Sequence, residues 1–177
     1  MRPAIINVMD KAARRAGRDL SRDFGEVEQL QVSRKGAADF VTAADRRAEE
    51  TIRYELMRAR PEFGFLGEEG GTQAEGDGVH RWIVDPLDGT TNFLHGLPQF
   101  AVSIAREERG QIVAGIVYNP LTDELFWAER GTGAYLNDTR LRVSARQHMS
   151  ESLIATGMPF LGHGDHERYL ETLKAVM

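Results

Sequence analysis

The sequence contains no cysteine, which excludes a disulfide framework and any thiolate-held metal. It has no surplus of positive charge. Its 22 lysines and arginines face 27 aspartates and glutamates, for a net charge of −5 and a pI near 5.6. The broad basic footprint of a nucleic-acid binder is therefore missing. No apolar run approaches the length of a bilayer span, and the first ten residues show no secretory pattern. Internal repeats, low-complexity tracts and a clear linker are absent too. A soluble, cytoplasmic protein is the expected class. Hydrophobic residues make up 41% of the 177, enough for a real core in one domain, or in one domain and part of a second.

Residues 3 to about 24 read as an amphipathic helix. Pro3 suits a first helical position, and Ile5, Ile6, Met9, Ala12, Ala13, Ala16 and Leu20 recur at helical spacing. Val27 to Ser33 reads as a strand. A second helix is expected from Thr42, where Thr42-x-x-Asp45 approximates a capping box, and it stops before Pro61. Phe63 to Leu66 reads as a short strand, and glycine-rich 70–80 as a loop. Strands are expected at 81–84, 100–106, 111–118 and 124–129, with two shorter ones after Gly131 and another at 152–156. A final helix runs from Asp165. Trp82, Phe100, Phe126 and Trp127 are expected core aromatics. Helices followed by consecutive hairpin-linked strands argue an α+β fold. The expected organisation is an N-terminal subdomain over 1–150 and the start of a second over 151–177. The last helix stops without a cap, so the chain is expected to be a fragment.

The most informative stretch is Asp85-Pro86-Leu87-Asp88-Gly89-Thr90-Thr91-Asn92-Phe93. An apolar strand ends in two aspartates, and the turn through Pro86 brings both to one side. Close carboxylates repel and need a proton, a basic partner or a cation. The loop holds no lysine or arginine, and hard oxygen donors favour Mg²⁺, which also binds substrate phosphate. Glu68 also follows a strand end and adds a third carboxylate if the two strands are neighbours. Behind Asp88, Gly89 lets an anion approach the backbone, while Thr90 and Thr91 add hydroxyls at a helix start with free N–H groups. Asp45, if near Thr90, takes a proton from it and helps polarise an attacking water. Lys35 either balances the acids or is a solvated loop lysine, the favoured reading.

These residues resemble the inositol monophosphatase family of metal-dependent, lithium-sensitive phosphatases, and most of all its bacterial inositol-1-monophosphatases. The resemblance rests on the Asp85–Phe93 segment, on Gly67-Glu68-Glu69, on Val41-Thr42-Ala43-Ala44-Asp45 and on Gly131-Thr132-Gly133-Ala134-Tyr135-Leu136-Asn137, in the family's order. It implies a layered α/β sandwich of the sugar-phosphatase type, with N-terminal helices on a largely antiparallel sheet. It implies two or three Mg²⁺ ions held by Glu68, Asp85, the Leu87 carbonyl and Asp88. Glu68, Leu87, Asp88, Gly89, Thr90 and Thr91 would meet the substrate, and Asp45, Glu68 and Thr90 would act in catalysis. The implied substrate is a small phosphorylated polyol or sugar, and a homodimer is a family expectation. The family's later Trp-Asp-x-Ala-Ala-Gly type motif, whose aspartate is a further ligand, does not occur in this sequence.

Three rival readings are weighed against this. The Lys11, Arg14, Arg15, Arg18, Arg22 stripe would serve a transcription-associated binding protein that contacts RNA polymerase or RNA. A solvated helix face interleaved with acids is favoured for it. A related phosphatase would act instead on fructose-1,6-bisphosphate, a nucleotide 3′-phosphate or histidinol phosphate. His163, His166 and Glu167 read as a loop and helix cap rather than a zinc site, and His95 as a surface loop histidine.

Overall fold

The apolar stripe from Ile5 continues beyond Leu20 through Phe24 to Val27, at spacings of four and three. It folds as one long helix, α1 (Ala4–Leu30). The strand expected over 27–33 is therefore corrected: helical periodicity outweighs one β-branched residue at Val27, which is fully buried on the helix. The computed structural model describes residues 2–30, 34–159 and 164–177. Gln31, Val32 and Ser33 lie outside the described residues, as do the side chains of 28–30, 34–40 and 73, among them Lys35.

Helix α2 (Arg34–Ala59) begins eight residues before the expected cap. Thr42 and Asp45 sit inside it. Alanines at 37, 38, 43, 44 and 48 carry the helix through the would-be start, because no residue there forces a break. α2 ends at Ala59, just ahead of Pro61.

Among the described residues eight strands follow: β1 (Gly64–Gly67), β2 (Gly71–Ala74), β3 (His80–Asp88), β4 (Ala101–Glu108), β5 (Gln111–Asn119), β6 (Glu124–Glu129), β7 (Gly133–Leu136) and β8 (Thr139–Arg140). They form one sheet in the order β2-β1-β3-β4-β5-β6-β7-β8. Only β1–β3 is parallel, and every other pair is antiparallel. This is the α+β architecture expected, with α1 and α2 packed together and against the sheet. The 70–80 segment is not all loop: β2 turns back along β1, since a ladder needs backbone groups rather than apolar side chains.

Strand parity sets the core. Val102 and Ile104, then Ala114, Ile116 and Tyr118, then Leu125 and Trp127 alternate inward and are buried, beneath Ile6, Met9, Leu20, Ile52 and Leu56 of the helices. Trp82 and Phe100 join them. Phe126 does not: Leu125 and Trp127 hold the inward positions, so Phe126 faces out and is 39% exposed.

The chain divides into two compact units, Met1–Arg142 and Val143–Met177. The second holds a short 3₁₀ turn (Met149–Glu151) and α4 (His166–Val176), whose N-cap Asp165 accepts from Arg168 N at 3.0 Å. The strand expected at 152–156 is absent: that segment is extended but exposed, and no strand pairs with it among the described residues.

Candidate active site

Three chain segments converge through backbone bonds before any side chain is considered. β1 runs parallel to β3, pairing Gly67 with Val84, and the Glu68 N–H donates to Val84 O at 3.0 Å. Glu68 therefore leaves β1 beside Asp85 on β3, the adjacency that the sequence left conditional. In β3 the register slips between Asp85 and Asp88, so that Asp85 faces Ser103 and Asp88 faces Ala101. The extra residue on β3 is a bulge, and Pro86, which has no N–H to give the ladder, lies inside it. The Leu87 N–H turns in to Asp85 Oδ1 at 3.1 Å.

Gly89 then reverses the chain with φ 93°, in the left-handed region open to glycine. A Cβ there would stand 2.8 Å from Gln99 O. α3 (Thr90–Leu94) starts immediately, with no side chain capping its first turn. Its position is set from below: Phe93 is fully buried and packs edge-on against Phe24 of α1 and Phe100, with centroids 5.5 and 4.9 Å apart. Asn92 ties the far side of the loop through Nδ2 to Gln99 O at 2.7 Å.

The carboxylates grade from exposed to buried. Glu68 and Asp88 are exposed, Asp85 is half-buried and Asp45, from α2, is buried. Burial first, then a side-chain hydrogen bond with Glu68 and the charges of Glu68 and Asp88, push Asp85 up to about 7. Asp45 is also raised to about 7, by burial first and then by the charges of Glu69, Asp85, Glu68 and Glu49. Asp45 Oδ1 is buried with no hydrogen-bond partner. Such an acceptor is costly unless something electropositive meets it. At the rim, Arg46 Nε lies 3.7 Å from Glu69 Oε2.

This donor set suits Mg²⁺: hard carboxylate oxygens, with Glu68 and Asp88 close enough to raise the Asp85 pKa. Among the described residues no three carboxylates or histidines converge on one point as they stand. Mg²⁺ does not require that, because it keeps several waters and takes one or two carboxylates with a substrate phosphate. The Thr90 hydroxyl donates to Leu87 O at 2.9 Å, so its recorded partner is that carbonyl, not Asp45. Thr91 is exposed at the mouth of the loop, and His95 is exposed at the end of α3. His163 lies outside the described residues.

One buried acid escaped the sequence reading. Glu49 lies one helical turn beyond Asp45, and its Oε2 accepts from Glu69 N at 2.9 Å. The i, i+4 spacing of Asp45 and Glu49 was the available signal, since it puts both on one face of a helix. The basic stripe on α1, in contrast, is largely neutralised. Lys11 and Arg15 pair with Glu55, Arg14 with Asp10 and Asp123, and Arg22 with Asp19 and Asp23.

A profile of the inositol monophosphatase family matches residues 2–176. The inositol-1-monophosphatase of Rhizobium meliloti is 61% identical over 99% of this chain and 66% of its own length. The Nus factor SuhB of Vibrio cholerae is 41% identical over 97% of this chain and 64% of its length. The crystal structure of the extragenic suppressor protein suhB from Bartonella henselae superposes with a TM-score of 0.88 at 60% identity, covering 99% of this chain and 67% of that one. The chain thus spans about two thirds of the length of the curated relatives it matches.

Proposed function

This chain belongs to the inositol monophosphatase family, and on that premise we propose that it carries the cation- and phosphate-binding half of a Mg²⁺-dependent phosphomonoesterase acting on an inositol monophosphate. The observation that carries the reading is the crowding of Asp45, Glu68, Asp85 and Asp88, with a buried Asp45 oxygen left unmatched. A cluster of this charge repels phosphate unless divalent cations neutralise it.

Glu68, Asp85, the Leu87 carbonyl and Asp88 would hold the Mg²⁺. When bound, the ion offsets phosphoryl charge and acidifies the attacking water. The chain's own groups do the rest. The uncapped amides behind Gly89, with the Thr91 hydroxyl, receive phosphoryl oxygens. The single Thr90 hydroxyl proton holds the Leu87 carbonyl in the cation-free chain and would turn to a phosphoryl oxygen when substrate binds. Asp45, whose buried Oδ1 has no hydrogen-bond partner, would take a proton from the attacking water.

The test is phosphate release from inositol 1-phosphate, with fructose-1,6-bisphosphate, a nucleotide 3′-phosphate and histidinol phosphate alongside. Release that needs Mg²⁺, stops in excess chelator and is fastest on inositol 1-phosphate supports the reading. Undiminished release in chelator refutes it. Lithium inhibition, a homodimer and a cytoplasmic site of action belong to the same proposal; no helix among the described residues is long and apolar enough to cross a membrane. The relatives named Nus factor SuhB favour a second reading, a transcription-associated binding role. The stripe on α1 that such a role would use is mostly engaged in internal ion pairs.

A further inference from the structure

We propose that Glu49 is a positioning residue: its carboxylate clamps the end of β1 so that Glu68 meets Asp85. The inference rests on the cation reading above and adds to it a residue that itself touches neither cation nor substrate. Glu49 is buried on α2, and its Oε2 accepts from the Glu69 N–H at 2.9 Å. The preceding amide, that of Glu68, donates to Val84 O at 3.0 Å. Consecutive N–H groups on either side of the Glu68 Cα are thus held by two different elements, α2 and β3. Held on both sides, the Glu68 backbone has a fixed Cα–Cβ direction, which sets its side chain on the side of Asp85.

Gly67 reports the same clamp from below. A Cβ added there would lie 2.5 Å from Glu49 Cδ and 2.8 Å from Oε1, with Oε2 nearer still. The Glu49 carboxylate fills the space that a Cβ at position 67 would take, so a larger residue there has to displace it. Gly67 is at a strand end and its φ is not in the left-handed region, so close approach, rather than backbone conformation, demands the small residue.

The test compares Glu49→Ala, Glu49→Gln and Gly67→Ala, with Glu49→Asp as a charge-retaining variant of shorter reach. Mn²⁺ binding is followed by electron paramagnetic resonance, and exchange of the Glu69 amide by NMR in metal-free protein. Glu49→Ala should speed Glu69 exchange and weaken Mn²⁺ binding about 10–100-fold, the usual loss for a residue that orients a ligand from behind. Glu49→Gln retains an acceptor oxygen and should restore both to within about threefold of wild type. Gly67→Ala should be disruptive alone and milder on top of Glu49→Ala, because the clashing carboxylate is gone. Should Glu49→Ala fail to fold, Glu49→Asp serves, with the same losses expected. Wild-type Mn²⁺ affinity in the variant that exchanges faster would overturn the inference, as would a Glu49→Gln no better than Glu49→Ala. A wild-type protein that binds no Mn²⁺ at all removes the cation reading itself, a separate outcome.

Discussion

Asp45→Asn offers a sharp test, because it should stabilise the cation-free protein while abolishing its chemistry. The exchange preserves shape and removes one ionisable group. Asp45 titrates near 7 in the fold against an ordinary value of 3.8, first because it is buried and then because Glu69, Asp85, Glu68 and Glu49 surround it. The folded chain therefore holds a proton there that the unfolded chain has released. Stability from this group is present below about pH 4 and is lost as pH rises through about 7. That rise in pKa corresponds to at most about 4 kcal/mol at 1.36 kcal/mol per pH unit. Glu68 and Glu69 are exposed and screened by water, so about 2 kcal/mol is the realistic size. An asparagine carries no such cost, and its amide can donate to the neighbouring carboxylates. Urea unfolding in excess chelator should then show Asp45→Asn within about 0.5 kcal/mol of wild type at pH 3.5 and about 2 kcal/mol more stable at pH 8.5. Adding Mg²⁺ should narrow the gap at pH 8.5 by stabilising wild type through binding. A difference independent of pH, or a less stable Asp45→Asn at pH 8.5, would refute the argument that the carboxylates crowd one another.

The loop that would hold phosphate depends on its buried anchor. Phe93→Ala should lower stability by about 3–5 kcal/mol and raise KM, as read by denaturant melts and phosphate-release kinetics. Asp88→Asn and Thr90→Ala should each lower kcat by about 10²–10³-fold with melting temperatures near wild type; near-normal turnover would remove either from the site. Glu55 is buried and takes Lys11, Arg15 and Arg58, all half-exposed or more. Glu55→Ala should cost about 1–2 kcal/mol, with hydrolysis per folded molecule unchanged.

Much of this was legible in the chain itself, because it depends on local spacing. The α1 stripe, the hairpin-linked strands from 100 onward and the acid-acid-glycine-threonine run need only neighbours in sequence to be recognised. The errors share a cause as well. Val27 through Ser33 looked strand-like on composition, yet the helical stripe continued to Val27. Thr42 and Asp45 resembled a cap, yet α2 had already begun. β2 has too little apolar character to announce itself, and the 152–156 segment has the right residues but no strand pairs with it among the described residues.

What remained for the tertiary structure was adjacency. No spacing rule says that β1 lies parallel to β3, yet that pairing alone puts Glu68 beside Asp85, where it helps raise the Asp85 pKa. Nor could the chain show that α2 delivers Asp45 to the floor of the acidic cluster and Glu49 to the back of Gly67, or that the Thr90 hydroxyl turns to Leu87 O. Residue type and periodicity are properties of a few consecutive positions, so they survive in a string of letters. Burial, shifted pKa values and clamped backbones arise only when segments 17 or more residues apart are brought into contact by a common core, and only the folded sheet and its two helices do that.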